Sequence, residues 1–191
     1  MAIGGCDMAV TDLDEQQLVE ACLAGREGAF DVVVDRHRRS VYQLCYRFVG
    51  NHEDASDLSQ EVFLRAYRGL KSFRGGSSLA TWLYRIGVNV CLNKVTVKKP
   101  VTEDIDARQH VDTVHESQVD RVLREERAVK VRAAIAQLPP KQRATLVLRM
   151  YQELSHEEIA GVLDSSVGAV KANFFHALGN LKKMLGTEDL T

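Results

Sequence analysis

An all-α protein in two helical parts is what the sequence predicts, and three observations predict it. Apolar residues recur at three- and four-residue steps along most of the chain. No segment alternates convincingly between apolar and polar residues; Val95–Val97 is the nearest, and three residues decide little. A polar, acidic stretch near the middle breaks the helical period and carries one proline, Pro100. The 191 residues suffice for one ordinary domain or two small ones.

The elements follow in order. Asp12 and Glu15 form a capping-box-like start for a first helix carrying Leu18, Cys22 and Leu23, with Gly25 as its stop. Phe30, Val34, His37, Val41, Leu44 and Phe48 are spaced as one face of a second helix, which Gly50 ends. Asn51 caps a third, whose apolar stripe is Ala55, Leu58, Val62, Ala66 and Leu70. Ser72–Ser78 has paired glycines and serines and reads as a loop. Trp82, Ile86 and Val90 lie along a fourth helix. From about Val95 to Ser117 the period fails, and we read an extended linker.

Helices resume near Gln118, with Val131, Ile135 and Leu138 on one face until Pro139-Pro140 force a break. A short helix over Lys141–Tyr151 follows. Ser155 to Glu158 is a capping box that opens a helix with Ile159, Val162 and Leu163. Asp164-Ser165-Ser166 is a turn, and the last helix directs Val170, Phe174, Leu178 and Leu181 inward. Two short helices joined by such a turn make a helix-turn-helix, whose second helix has a face free to enter a major groove. That face holds Ala169, Lys171, Ala172, Asn173 and His176.

Composition excludes several classes. Apolar residues are 45% and charged residues 27%, too apolar for a wholly disordered chain. No apolar run approaches the roughly 18–20 residues of a membrane span. The N-terminus lacks the basic start and apolar stretch of a signal peptide. Cys6, Cys22, Cys45 and Cys91 form no CxxC and read as reduced thiols, which predicts a cytoplasmic protein. His156-Glu157-Glu158 begins like a metalloprotease helix, but Ala160 stands where the second His is required. Nucleotide-binding glycine motifs and nucleophile elbows are missing too, so neither an enzyme nor a metal or cofactor site is expected.

The formal net charge is only −1, yet its distribution is uneven. Residues 1–61 hold twelve acidic and five basic side chains, whereas residues 62–94 hold six basic and no acidic ones. The middle stretch is acidic again, and residues 121–191 carry eleven basic against eight acidic. Positive segments are candidates for phosphate contact, because binding there releases counterions.

Two stretches resemble a known family. Asp54–Phe73 and Phe73–Asn89 are similar to region 2, and Leu138–Lys183 to region 4, of extracytoplasmic-function sigma factors in the sigma-70 family. The resemblance covers nearly the whole chain. It implies an N-terminal tail over 1–10, a region 2 domain over 11–95, an acidic linker over 96–118 and a region 4 domain over 119–187. It implies a non-catalytic initiation factor that binds core RNA polymerase and promoter DNA. The polymerase contacts implied are the clamp helices of the largest subunit and the flap region of the second-largest. An anti-sigma factor is a further expected partner.

Residue roles divide accordingly. Asp54, Asp57, Gln60, Glu61 and Leu64 share one side of the third helix, an acidic stripe with an apolar edge suited to a basic protein surface. The resemblance makes that surface the clamp helices. Opened DNA needs cations and an aromatic face, and Lys71, Phe73, Arg74, Ser77, Trp82, Arg85 and Asn89 supply both for the −10 element. Trp82 and Ile86 also suit a packing role, since they share the apolar face. Ser166, Ala169, Lys171, Ala172, Asn173 and His176 are the expected −35 contacts, with Lys171 on phosphate and Asn173 on a base. Many members carry Ser-Arg after the Lys, where this chain has Ala172-Asn173, so its recognition helix is weakly basic. The acidic linker suits occupation of a positive channel in the polymerase, or serves as a tether. Two other functions fit parts of the chain: a stand-alone helix-turn-helix regulator, and an interaction module that titrates an inhibitor.

Overall fold

The computed structural model describes residues 9–97 and 118–186. The tail as far as residue 8, with Cys6, and the linker between 98 and 117 lie outside the described residues. Eight α-helices and no strand occur among those described. The first group is α1 (Glu15–Leu23), α2 (Ala29–Val49), α3 (His52–Gly69) and α4 (Leu79–Val97); the second is α5 (Gln118–Gln137), α6 (Pro140–Tyr151), α7 (His156–Leu163) and α8 (Val167–Leu185). Val95–Val97 ends α4 as helix.

Helix ends fall where side chains satisfy the exposed backbone groups. One start is corrected: Asp12 closes a short 3-10 turn, Val10–Asp12, and the N-cap of α1 is Asp14, two residues later, with the helix beginning at Glu15. Its capping box is Asp14 with Gln17, whose side chains each accept from the other's backbone N–H at 2.8 and 3.1 Å. The Arg36 guanidinium reaches back from α2 to the carbonyls of Thr11 and Leu13 and fixes this entry. Asn51 caps α3 by accepting from the Asp54 N–H at 2.8 Å, and Gly50, at φ 78°, ends α2 in the left-handed conformation. Pro140 sits at the start of α6, where its missing N–H has no helical partner to lose.

In the first group α2, α3 and α4 pack mutually around Val33, Val41, Leu44, Val62, Leu79, Leu83 and Cys91, all essentially buried. The face of α4 that is fully buried is therefore Leu79, Leu83, Val88 and Cys91, while Trp82 and Ile86 stand half-buried at its edge. In the second group α6, α7 and α8 surround Ile159, Val170, Ala177 and Leu148. The expected inward face of α8 needs one correction. Leu178 is 44% exposed, and Ala177 is buried in its place. Four-residue steps from Val170 through Phe174 overshoot a 3.6-residue turn, so the next inward position falls at 177 and the one after at 181.

The two groups touch. Helix α2 packs on α5 and α6, and α4 packs on α6 and α7. Arg143 of α6 is 6% exposed and donates to the Phe48 carbonyl in the last turn of α2 at 2.8 Å. Beside it, the Arg47 guanidinium lies 4.1 Å above the Tyr151 ring, a cation–π contact.

Gly87 marks the closest approach of α4 to α2. A Cβ there would sit 2.8 Å from Leu44 Cδ2. Leu44→Ala is expected to cost about 2–5 kcal/mol. Gly87→Ala is expected to be a net loss, with overpacking of about 1–3 kcal/mol outweighing roughly 1 kcal/mol of helix propensity. The double variant should be more stable than the two costs combined, because the new methyl enters the space vacated by Leu44. Urea unfolding of the four proteins measures this, and strict additivity would show that the two positions do not meet.

Candidate nucleic-acid interface

The loop after α3 is held by its neighbours rather than by its own glycines. A 3-10 turn, Leu70–Ser72, continues α3, with Leu70 buried and the Ser72 hydroxyl on the Gly69 carbonyl. At the far end the Ser78 hydroxyl accepts from the Thr81 N–H at 3.1 Å, and the Glu15 carboxylate of α1 accepts from the Leu79 N–H at 2.7 Å. A carboxylate at the start of α4 complements the positive end of that helix. Between these anchors Arg74, Gly76 and Ser77 are exposed, and Phe73 turns back onto Trp82 with ring centroids 5.4 Å apart.

These residues line one cleft of about 1050 Å³. Its wall from the first group is Arg65, Phe73, Arg74, Ser77, Trp82, Arg85 and Asn89. Six of the seven expected −10 residues thus meet in one place, with Ile86 beside them; the seventh, Lys71, is exposed on the adjacent 3-10 turn. Arg65 and Arg74 are exposed and Arg85 projects outward, so the cleft joins cationic groups to an aromatic pair. Such a combination binds an unpaired strand, the cations neutralising phosphate and the rings stacking on a base. Arg65 was missed in the sequence because it reads as the partner of Glu61, which it also is, at 2.7 Å.

The opposite wall comes from α7: Glu157, Glu158, Gly161 and Val162. Ser155 caps this helix, accepting from the Glu158 N–H at 3.1 Å while the Glu158 carboxylate accepts from the Ser155 N–H at 2.8 Å. That backbone bond, reinforced by the Ser155 hydroxyl, holds the Glu158 carboxyl below its ordinary range. His156, which opens the metalloprotease-like string, instead packs edge-on against Phe174.

The acidic stripe on α3 is partly engaged. Asp57, Gln60 and Leu64 are exposed, Leu64 by 51%. Glu61 holds Arg65, and Asp54 is tied to Lys94 at 2.8 Å and to Asn51. Exposed Tyr67 extends the stripe's apolar edge and meets Phe30 edge-on at 5.0 Å.

On α8, Ala169, Lys171, Ala172 and His176 are exposed. Ser166 is the N-cap, accepting from the Ala169 N–H at 3.2 Å. Asn173 departs from the expected placement: it is half-buried on the flank of the helix, one residue before Phe174, rather than opposite the core. The outward face instead presents Phe175, which is 74% exposed. The signal for it was available, since Ala172 and Phe175 are three apart and both fall off the inward stripe.

An all-α, helix-turn-helix protein with a basic, aromatic cleft is the class that this fold and site define. Sigma-70 region 2 matches residues 33–99, and Sigma-70 region 4 matches residues 128–181. RNA polymerase sigma-H factor of Pseudomonas aeruginosa is 36% identical over 185 residues, covering 92% of this chain and 96% of that one. The ECF RNA polymerase sigma-E factor of Escherichia coli is 36% identical over 174 residues, covering 86% and 91%. SigW of Bacillus subtilis, also an ECF sigma factor, is 34% identical over 170 residues, covering 84% and 91%. Among solved structures, CnrH in complex with the cytosolic domain of CnrY has the same fold, with a TM-score of 0.67, 23% identity and coverage of 90% and 96%. The sigma factor RpoE of Bartonella quintana, in complex with the anti-sigma factor NepR, gives 0.62 at 19% identity, covering 84% and 98%.

The chain belongs to the sigma-70 family, as an RNA polymerase sigma factor of the extracytoplasmic-function group. Both regions are matched, which sets aside the stand-alone helix-turn-helix regulator. Among the described residues no helix is long and apolar enough to cross a membrane.

The α7 cap yields a pH-dependent prediction. Ser155→Ala is expected to cost about 1 kcal/mol. The Glu158 carboxyl is lowered in the folded protein, so its contribution is complete above the ordinary carboxylate range and lost as pH falls through the folded value. Wild type should therefore exceed Glu158→Gln in stability at pH 7, and the difference should fall away as pH drops through the carboxylate range. Denaturant unfolding across that range checks it. A constant difference would mean that the carboxylate charge plays no part in the cap.

Proposed function

We propose that the chain works as two units, residues 11–95 and 119–187, which divide promoter recognition between them while the first also docks on core RNA polymerase. The observation that carries this reading is the cleft, where Phe73 and Trp82 stand among Arg65, Arg74, Arg85 and Asn89. It supports melting of the −10 element: the arginines hold the backbone of the opened strand and the rings receive an unstacked base. The two rings already touch, tilted by 56° with centroids 5.4 Å apart, so they offer an incoming base an assembled aromatic surface.

Docking on the clamp helices of the largest polymerase subunit uses α3. Asp57, Gln60 and Leu64 are the free part of the stripe, and Tyr67 adds apolar area. Asp54 and Glu61 are already paired within the chain, so each must exchange a local cation for one on the polymerase. The −35 element is read by α8: Lys171 takes a phosphate, and Ala172 with Phe175 offers apolar contact to thymine methyl groups. The flap of the second-largest subunit is the polymerase partner of the second unit. An anti-sigma factor is a further partner, in keeping with the complexes of CnrH and RpoE. The protein acts in the cytoplasm, without a cofactor and without catalysis of its own.

Run-off transcription from fragments of the host genome, with core polymerase and the purified chain, tests the whole reading; no transcripts would overturn it. Two variants separate its parts. Asp57→Lys combined with Glu61→Lys should lower affinity for core polymerase by about tenfold or more, while helicity is unchanged; each reversal replaces an attraction with a repulsion. Undiminished competition for core would remove α3 from the docking surface. Arg74→Ala with Arg85→Ala should lower open-complex formation more than closed-complex binding, with a deficit that shrinks as salt rises, because the variant has fewer phosphate contacts to lose. Permanganate reactivity of promoter thymines reads this, and equal reactivity would remove the cleft from melting.

A further inference from the structure

We propose that Glu15 of α1 is a positioning residue for promoter opening: it touches no DNA itself and fixes the loop and helix whose side chains take the opened strand. The inference rests on the reading of the cleft as the site for that strand. Three observations carry it.

The first is where its bond falls. The Glu15 carboxylate accepts from the Leu79 N–H at 2.7 Å, across 64 residues of chain. Leu79 is the first residue of α4 and the point at which the loop becomes helix. Phe73, Arg74 and Ser77 stand before it, and Trp82, Arg85 and Asn89 follow it on α4. All six line the cleft, and Glu15 does not. A single hydrogen bond, made from outside the cleft, thus sits at the joint between the two halves of its wall.

The bond also does what its neighbours do not. The first N–H groups of a helix have no partner within it. At the start of α4 the Ser78 hydroxyl serves the Thr81 N–H at 3.1 Å, and the Ser78 carbonyl serves the Trp82 N–H at 3.1 Å. The Leu79 N–H, on a fully buried residue, relies on the carboxylate that α1 brings to it. Without that carboxylate the positive start of α4 would itself attract a phosphate, and the strand would be drawn off the line of arginines.

Glu15 is in turn held firmly. It opens a helix of nine residues, behind the capping box of Asp14 and Gln17. The Arg36 guanidinium fixes the entry, donating to the Thr11 and Leu13 carbonyls at 2.7 and 2.8 Å. Leu13, Leu18 and Val19 are buried beneath it. Helix α1 also packs on the Leu70–Ser72 turn, so one helix braces the loop at both ends. A loop braced before the strand arrives loses less freedom on binding it. If the brace is released, only the fraction of molecules with the loop in place can bind, and affinity falls by that fraction.

The test uses the full chain, alone and with core polymerase. Trp82 is the only tryptophan, so the quenching of its emission by acrylamide reports the cleft directly. Glu15→Ala should raise that quenching in the free chain. On a promoter fragment that wild type transcribes, it should lower permanganate reactivity about tenfold, as when the loop holds its bound arrangement roughly a tenth of the time. Helicity and competition for core polymerase should stay unchanged. Glu15→Gln keeps an acceptor oxygen and should restore most of both readouts. Arg36→Ala, which frees the entry of α1, should move both in the same direction as Glu15→Ala and add little to it. Wild-type quenching and reactivity in Glu15→Ala would overturn the proposal. So would a core affinity that falls in step with reactivity, or a Gln variant as defective as Ala. Each of these leaves the cleft's role standing as long as Arg74→Ala with Arg85→Ala lowers reactivity. Reactivity indifferent to those two arginine changes would overturn the reading of the cleft itself.

Discussion

The guanidinium of Arg143 donates to main-chain carbonyls at two helix ends: Phe48 in the last turn of α2, and Ala136 and Leu138 at the corner between α5 and α6. Terminal carbonyls have no partner within their own helix and carry the negative end of its dipole, so a cation is the apt group to satisfy them. Burial lowers the Arg143 pKa, but a guanidinium keeps its proton, and the charge stays in the interior. Its Nε has no hydrogen-bond partner, a local cost of the arrangement. Pro139 and Pro140 supply the corner, because neither can continue α5, and Arg143 then bridges the bend. Through this one side chain the start of the helix-turn-helix unit is referred to the end of α2. That bond and the neighbouring Arg47–Tyr151 contact tie α6 to the last turn of α2.

Charge is arranged around the same joint. Four acidic side chains, Glu53, Asp54, Asp57 and Glu61, lie on α3, while the run from Val62 to Lys94, which supplies most of the cleft, holds cations and no acidic residue. Several anionic groups have local duties before any partner arrives: Asp54 holds Lys94, Glu61 holds Arg65 and Glu15 caps α4. Exposed pairs of this kind are worth little each, so they can be exchanged for intermolecular ones at small cost. Asp54, with its side chain only 20% exposed, is the least exchangeable of them. The free anions Asp57 and Glu53 sit on turns that face solvent.

Much of this was legible in the sequence, and the misses share a cause. Caps were readable because a side chain and a backbone N–H three residues on are a local matter: Asn51, Ser155 and Gly50 all end or begin helices as their types require. Asp12 failed because Asp14 two residues later offers the same chemistry, and only the docking of Arg36 onto Thr11 and Leu13 decides between them. Buried faces were read to within one position; Leu178 stood in for Ala177 because apolar size outweighed phase. The members of the cleft were foreseeable from the loop and the helix after it, being near in sequence. Arg143 and the acidic wall of α7 were not. Each acts across some 70 to 95 residues of chain, as in the Arg143 to Phe48 bond, which spans 95. Periodicity carries no information at that range.

The recognition helix is the place where the chain departs most from a strong DNA binder. Its cations are Lys171, Lys182 and Lys183, its outward face is Ala172, Phe175 and Gly179, and Asn173 is half-turned toward the core. Few phosphate contacts mean a shallow salt dependence and modest affinity for duplex taken alone. Under the proposed division of labour that weakness is tolerable, because α8 does not have to find its element unaided. Once α3 is seated on the polymerase and the cleft holds the opened strand, α8 searches from a fixed distance, and its effective concentration replaces intrinsic affinity. Apolar contact by Ala172 and Phe175 then adds discrimination with little general attraction. A helix more densely basic would hold duplex anywhere and would dilute the part that the polymerase plays in selecting the site.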